Sequence, residues 1–336
     1  MSTPKLHRNT GLDIVRATEA AAMSAARWMG LGQRDEPNRS ATVAMAEALN
    51  SLEINGWIVI GEEGRPGAAV GLTSGQRVGQ GTGVPMDVVV DPVDGRRLLA
   101  QGRSGAIAVA AVAVRDALWS PAPAVYLEKL VVNRAAAAAL VPECLDAPAA
   151  WTLALVARAK GKPVRDLVVF VLERPRHADL ISEIRAAGAR VMLADDGDIS
   201  GAILAALPDG TVDLMLGVGG AAEGVIAACG VKALGGGMLA RMAPQSAAEG
   251  EAIRASGRDL SQILTLDDLV AGEQIFFVAT GITDSSLLDG VYFYGDRART
   301  NSLILRGETR TRRTIVAEHL IDDAEHPLTP ELPTRL

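Results

Sequence analysis

The apolar run Met86-Asp87-Val88-Val89-Val90 leads directly into Asp91-Pro92-Val93-Asp94-Gly95, and no other stretch constrains the chain as much. A buried strand that ends this way delivers two carboxylates, three residues apart, at its carboxyl end. Open α/β sheets gather ligands outside the carboxyl ends of their strands. Hard divalent cations such as Mg²⁺ and Mn²⁺ take oxygen ligands, and a rigid Asp-Pro turn aims both side chains without spending flexibility. Asp-Pro and Asp-Gly are also ordinary turn dipeptides, so the pair by itself specifies a turn as readily as a metal site.

Two further apolar runs end in acids. Glu62 follows Trp57-Ile58-Val59-Ile60-Gly61, and Glu223 lies in Gly219-Gly220-Ala221-Ala222-Glu223-Gly224, after Val212-Asp213-Leu214-Met215-Leu216. Apolar periodicity predicts helices over residues 11–30 and 40–52, with Ser40 as N-cap of the second and a polar loop over 32–39 between them. A buried strand is expected over 105–114. Strands over 167–172, 190–194, 212–216 and 274–279, with helices over 178–187 and 199–207 between the first three, give a βαβ pattern and predict a largely parallel sheet. Residues 290–320 read as short strands. The pattern changes near 135–148, so the expected organisation is an α+β metal-binding domain over 1–160, an α/β substrate-binding domain over 161–325 and a disordered tail over 326–336.

Composition narrows the function. A length of 336 residues with 49% hydrophobic side chains is enough for two packed units. Aromatics make up only 3%, which disfavours stacking surfaces for single-stranded nucleic acid. A net charge of −7 with no long basic block argues against nucleic acid and anionic membrane as partners. The longest greasy stretch, 106–114, is far short of the roughly 20 residues that span a bilayer, and the start lacks the apolar core of a signal peptide. Cys144 and Cys229 form no metal-ligand spacing. A cytoplasmic setting is expected.

In order along the chain, the motifs resemble the class II fructose-1,6-bisphosphatases, the GlpX-type branch of the lithium-sensitive phosphatase superfamily. The resemblance runs from about Gly11 to Leu320. It is carried by Val15-Arg16-Ala17-Thr18-Glu19-Ala20-Ala21, Arg27-Trp28-Met29-Gly30, Ile58-Val59-Ile60-Gly61-Glu62, Asp91-Pro92-Val93-Asp94-Gly95 and Tyr126-Leu127-Glu128-Lys129-Leu130. Further on come Arg174-Pro175-Arg176-His177, Asp196-Gly197-Asp198, Gly219-Gly220-Ala221-Ala222-Glu223-Gly224-Val225 and Ala279-Thr280-Gly281-Ile282-Thr283. The resemblance implies a layered αβαβα sugar-phosphatase fold, α/β in class, with two sheet domains and a cleft between them. It implies Mn²⁺ or Mg²⁺ as cofactor, a small sugar phosphate as substrate, and a homodimer or homotetramer, which an apolar excess (mean hydropathy +0.20) also favours.

Carried over by position, Glu62, Asp91, Asp94 and Glu223 match four of the family's five metal carboxylates, and the fifth place is held by Asn38. The substrate positions fall on Asp94, Gly95, Arg96, Tyr126, Arg174, Pro175, Arg176, Asp196, Gly197, Asp198 and Gly220, and the catalytic ones on Glu62, Asp91, Asp94 and Arg96. Two departures stand out. Asn38 replaces an aspartate, and Asp94-Gly95-Arg96 replaces Asp-Gly-Thr. Five acids would bring about −5 of charge to the site, whereas four acids with an inward Arg96 would bring about −3 and need fewer divalent cations. Arg96 could instead turn outward into solvent.

The resemblance implies hydrolysis of fructose 1,6-bisphosphate to fructose 6-phosphate or, in a divergent paralogue, of a different sugar phosphate, and two rival functions remain open beside it. Gly217-Val218-Gly219-Gly220-Ala221-Ala222 fits a dinucleotide-binding Gly-x-Gly-x-x-Ala, although the region around Leu239-Ala240-Arg241 lacks the confirming acid. A sugar-phosphate-binding pseudoenzyme would account for Asn38 and Arg96 together. The histidines form no metal-binding spacing, and no nucleophile elbow is present.

Overall fold

The computed structural model describes residues 5–63 and 71–321. The expected tail over 326–336 lies outside them. Chain order is α1 (Thr10–Ala26), α2 (Asp35–Ser51), β1 (Asn55–Ile60), β2 (Arg77–Val78), β3 (Pro85–Asp94), α3 (Arg96–Ala100), β4 (Ile107–Val114), β5 (Tyr126–Val132), α4 (Arg134–Ala137) and α5 (Ala149–Lys160). It continues with β6 (Val168–Leu172), α6 (Ala178–Ala186), β7 (Arg190–Ala194), α7 (Asp198–Ala206), β8 (Leu214–Gly220), α8 (Ala221–Leu234), β9 (Gly237–Met242) and α9 (Ala247–Ala255). Last come β10 (Ile263–Thr265), α10 (Leu266–Leu269), β11 (Ile275–Gly281), β12 (Tyr292–Tyr294), β13 (Arg297–Arg306) and β14 (Thr311–Leu320).

Two mixed sheets carry these strands. One runs β12-β13-β11-β4-β3-β1-β2 with β14 on the far side of β13, and the other runs β10-β9-β5-β8-β6-β7. Three separate cores show the layering. Ala108, Ala110 and Val112 of β4 pack with Ile14, Ala21 and Ala25 of α1 and with Ala41 and Met45 of α2. The alternate residues Ile107, Val109, Ala111 and Ala113 face Ile203 of α7 and Ile226 of α8, which also touch the second sheet through Leu127, Val131 and Met215. Leu153 of α5 and Ile184 of α6 cover the other face of that sheet. The period-2 alternation of a strand therefore feeds two cores at once, and small alanines on β4 let helices approach on both sides. The result is the five-layer αβαβα order that the resemblance implies.

Several boundaries differ from the sequence reading. Helix α2 begins at Asp35, not at Ser40, because Asp35 and Glu36 suit the positive end of the helix dipole and Pro37 is tolerated in a first turn. Ser40 lies inside that helix, where its hydroxyl donates to Pro37 O at 3.2 Å, and is no N-cap. The second sheet is parallel only across β7-β6-β8. Strand β5 is inserted antiparallel between β8 and β9, so the crossover through α8 reaches a parallel strand one place further away. The sheets also do not divide near residue 160, since β5 already belongs to the second and β11 to β14 return to the first. The last segment opens with the three-residue β12, as short strands were expected, but β13 and β14 form a long hairpin of ten-residue strands.

Candidate active site

The carboxyl ends of β3, β6, β7 and β8 converge with the start of β5 on a cleft of about 680 Å³. Its lining includes Asp94, Arg96, Tyr126, Arg174, Arg176, Asp196, Asp198, Gly220 and Glu223. Residues far apart in sequence thus meet in one place because these strand ends do. Arg96 is half-buried and is among the residues that line the cleft.

Strand β3 is buried along its whole length after Pro85. Asp91 Oδ1 accepts from Val93 N–H at 3.2 Å, closing the Asp-Pro turn. Gly95 then turns the chain with φ 90°, a left-handed conformation that side chains disfavour, and a Cβ there would stand 3.1 Å from Ala106 Cα. The carboxylate of Asp94 is buried beside Asp91, Asp196, Glu223 and Asp198. Burial first, and then the repulsion of those four acids, push its pKa well above the ordinary aspartate value. Asp196 is raised too, chiefly by burial, with Arg174 and the Gly197 N–H opposing and Asp91 and Glu223 adding to the rise. These mutual influences place Asp91, Asp94, Asp196 and Glu223 in one electrostatic neighbourhood.

Glu62 and Asn38 are buried together on the α2 side, joined by a hydrogen bond from Asn38 Nδ2 to Glu62 Oε2 of 2.8 Å. The donors fit a hard cation in kind: all are oxygens, and Asn38 Oδ1 and Asp94 Oδ2 are buried without a hydrogen-bond partner. They are gathered rather than closed. Among the described residues no three acidic, histidine or cysteine side chains form a ready-made ion site. Repulsion between acids opposes such a site, and the Asn38 amide holds one oxygen of Glu62.

Two arginines of the cleft are fixed by backbone carbonyls. Arg174 Nη1 donates to Asp195 O at 2.5 Å, and Arg176 Nη2 donates to Val218 O at 2.7 Å. Arg176 also lies over the Tyr126 ring, 5.3 Å from its centroid. Pro175 opens the short turn between the two arginines. Gly197, left-handed at φ 90°, precedes the first residue of α7, Asp198. Gly219 and Gly220 are required by close approach. A Cβ on Gly219 would fall 2.2 Å from Asp198 Oδ2, and one on Gly220 would fall 1.8 Å from Glu223 Oε2. The glycines that mimic a dinucleotide fingerprint therefore make room for carboxylates.

The scan of the sequence missed three residues. Lys129 is buried and pairs with Asp198. Asp195 is gripped by Arg97 and Arg103, linking α3 and the loop after it to the loop after β7. His177 accepts Val218 N–H at Nε2, 2.8 Å away, and so fastens the arginine loop to β8. A lysine followed by the apolar run Leu130-Val131-Val132 was a readable signal for the first, while the other two depend on tertiary placement.

With this geometry in place, comparison with known proteins decides the family. Residues 8–319 match the family described as bacterial fructose-1,6-bisphosphatase, glpX-encoded. A protein of Haemophilus influenzae named fructose-1,6-bisphosphatase class 2 is 38% identical over 95% of this chain and 98% of its own length. Fructose-1,6-bisphosphatase 1 class 2 of Escherichia coli K12 is 36% identical over 94% of this chain and 97% of its own. The chain belongs to the class 2 fructose-1,6-bisphosphatase family. The dinucleotide-binding reading falls with that assignment.

Proposed function

We propose that the protein hydrolyses fructose 1,6-bisphosphate to fructose 6-phosphate and inorganic phosphate. The observation that carries this is the cleft itself: buried acids gathered at strand ends, with Asp94 Oδ2 lacking a hydrogen-bond partner, beside two arginines anchored on backbone carbonyls. Arg174 and Arg176 hold the phosphate that is retained, each with donors left after its carbonyl bond. Asp196 and Asp198 accept hydrogen bonds from sugar hydroxyls, and Tyr126 closes the site beside Arg176. Asp91, Asp94 and Glu223, with Glu62 behind them, would hold Mg²⁺ or Mn²⁺. Such an ion, when bound, activates water and neutralises phosphoryl and leaving oxygens. Arg96 brings a fixed positive charge to the same cleft and can hold the reacting phosphoryl group bidentately. Fewer divalent ions are then needed than with five carboxylates.

The setting is read as cytoplasmic: no helix among the described residues is long and apolar enough to cross a membrane, and both cysteines are buried free thiols. A homodimer or homotetramer is part of the same reading. Light scattering at micromolar protein tests it, and a monomer would count against it.

The decisive experiment is phosphate release from a panel of sugar mono- and bisphosphates with Mn²⁺ or Mg²⁺, paired with calorimetric metal titration. Turnover greatest on fructose 1,6-bisphosphate and dependent on the ion is expected. No release from any member would leave a sugar-phosphate-binding pseudoenzyme in place of the phosphatase. Asn38→Asp combined with Arg96→Thr should raise metal stoichiometry, and turnover with it. The two changes must be made together, because neighbouring charges couple.

A further inference from the structure

Lys129 lies in the middle of β5 with a side chain 1% exposed, and it is not among the residues that line the cleft. A lysine buried to that degree must be paired, and its partners are unusual. Its Nζ donates to Asp198 Oδ2 and also, at 3.1 Å, to Gly220 O. Asp198 is the first residue of α7, and Gly220 is the N-cap of α8, the helix whose first turn carries Glu223. One ammonium group thus ties the starts of both helices that face the cleft. The arrangement is tight: a Cβ on Gly224 would meet Lys129 Cδ at 3.2 Å, and Gly219 lacks the Cβ that would displace Asp198. Asp198 has its second oxygen, Oδ1, buried and without a hydrogen-bond partner, while the residue itself lines the cleft.

We propose that Lys129 is a positioning residue for the substrate sugar. By occupying Asp198 Oδ2 from below the cleft, it fixes the carboxylate so that Oδ1 is presented to a hydroxyl of the sugar phosphate. This rests on the reading of the cleft as a sugar-phosphate site. It assigns the lysine a role in recognition that a merely structural ion pair would not have. Lys129 touches no reacting atom, so its effect should travel through Asp198 into KM rather than into kcat.

The test is a double-mutant cycle of Lys129→Met and Asp198→Asn on phosphate release from fructose 1,6-bisphosphate with Mn²⁺. Lys129→Met alone should raise KM about tenfold while kcat changes less than threefold. In the Asp198→Asn background the same change should alter KM less than twofold, because the carboxylate it positions is gone. If the two effects multiply, or if Lys129→Met lowers only the melting temperature, the proposal is overturned. Lys129→Met leaves a buried carboxylate unpaired and so can fail to fold. The comparison of Asp198→Asn with the neutral double variant then decides, since neither carries an unpaired buried carboxylate at this site. Equal KM supports the role, and a tenfold difference removes it. Should the wild type release no phosphate, the same cycle is read by calorimetry on fructose 6-phosphate binding. Failure of the catalytic reading is thereby kept apart from failure of this one.

Discussion

Asn38 donates from Nδ2 to Glu62 Oε2 at 2.8 Å, with both side chains fully buried between α2 and the end of β1. An amide can make that bond, whereas an aspartate in its place would face another carboxylate at hydrogen-bond distance. Two such acids require a proton or a cation between them. Asn38→Asp should therefore lower stability without divalent ions by about 1–3 kcal/mol, the cost of a lost buried hydrogen bond. It should also make the melting temperature strongly dependent on Mn²⁺. Thermal melts of wild type and variant with and without Mn²⁺ check this, and an equal Mn²⁺ response in both would contradict it.

The glycines at the end of β8 give a second prediction. Gly219→Ala pushes on the Asp198 carboxylate, and Gly220→Ala pushes on that of Glu223, at separations no real Cβ tolerates. In each case the clash is with the far end of a side chain, so the fold should survive while the carboxylate swings away. Gly219→Ala should raise KM at least tenfold, and Gly220→Ala should weaken Mn²⁺ binding. Steady-state kinetics and calorimetry separate the two. Wild-type values for both variants would show that neither acid is needed where it stands.

What could be read from the chain was what is local or periodic. Asp91-Pro92-Val93-Asp94-Gly95 announced a strand end because Val88-Val89-Val90 leads straight into it, and β6, β7 and the two helices after them followed from alternation. The insertion of β5 between β8 and β9 was not readable, because pairing partners are set by packing across the molecule rather than by the strand's own residues. For the same reason Arg96 could be named but not oriented. Its place among the cleft-lining residues depends on the left-handed turn at Gly95, which joins β3 to α3. The motifs named candidate site residues, but they could not show that Asn38 and Glu62 bond to each other.

The arginine pair supplies a third prediction. Arg174 is held by Asp195 O and stands 3.6 Å from Asp196 at its other nitrogen, so its planar fork is already oriented before substrate arrives. A lysine keeps the charge and loses the fork. Arg174→Lys should raise KM for fructose 1,6-bisphosphate by about tenfold, near 1.4 kcal/mol of binding, with a much smaller change in kcat. Were kcat to fall instead with KM unchanged, Arg174 would be serving the reacting phosphate and not the retained one.

The arginine loop depends in turn on His177, and this gives a pH dependence with a definite sign. His177 Nδ1 faces Leu172 O at 2.7 Å, and a carbonyl can only accept, so the proton sits on Nδ1. Nε2 is then the acceptor for Val218 N–H, and the ring is held neutral. Burial foremost, with Arg176 and Arg174 adding to it, lowers the His177 pKa below the ordinary 6.5, against the opposing effects of the Leu172 bond and Asp198. The unfolded chain therefore takes up this proton first as pH falls. Stability from His177 is complete above about pH 6.5 and declines as pH drops toward the folded-state value. A proton on Nε2 would also confront Val218 N–H with a second donor and release the loop that carries Arg174 and Arg176. Melting temperature and KM should thus worsen together below pH 6.5. His177→Gln should lower stability by about 1–3 kcal/mol at pH 7.5 through loss of one of the two ring bonds, and it should flatten both pH profiles between 7.5 and 5.5. If the variant's profiles keep the wild-type slope, the titrating group lies elsewhere and His177 is only a buried spacer.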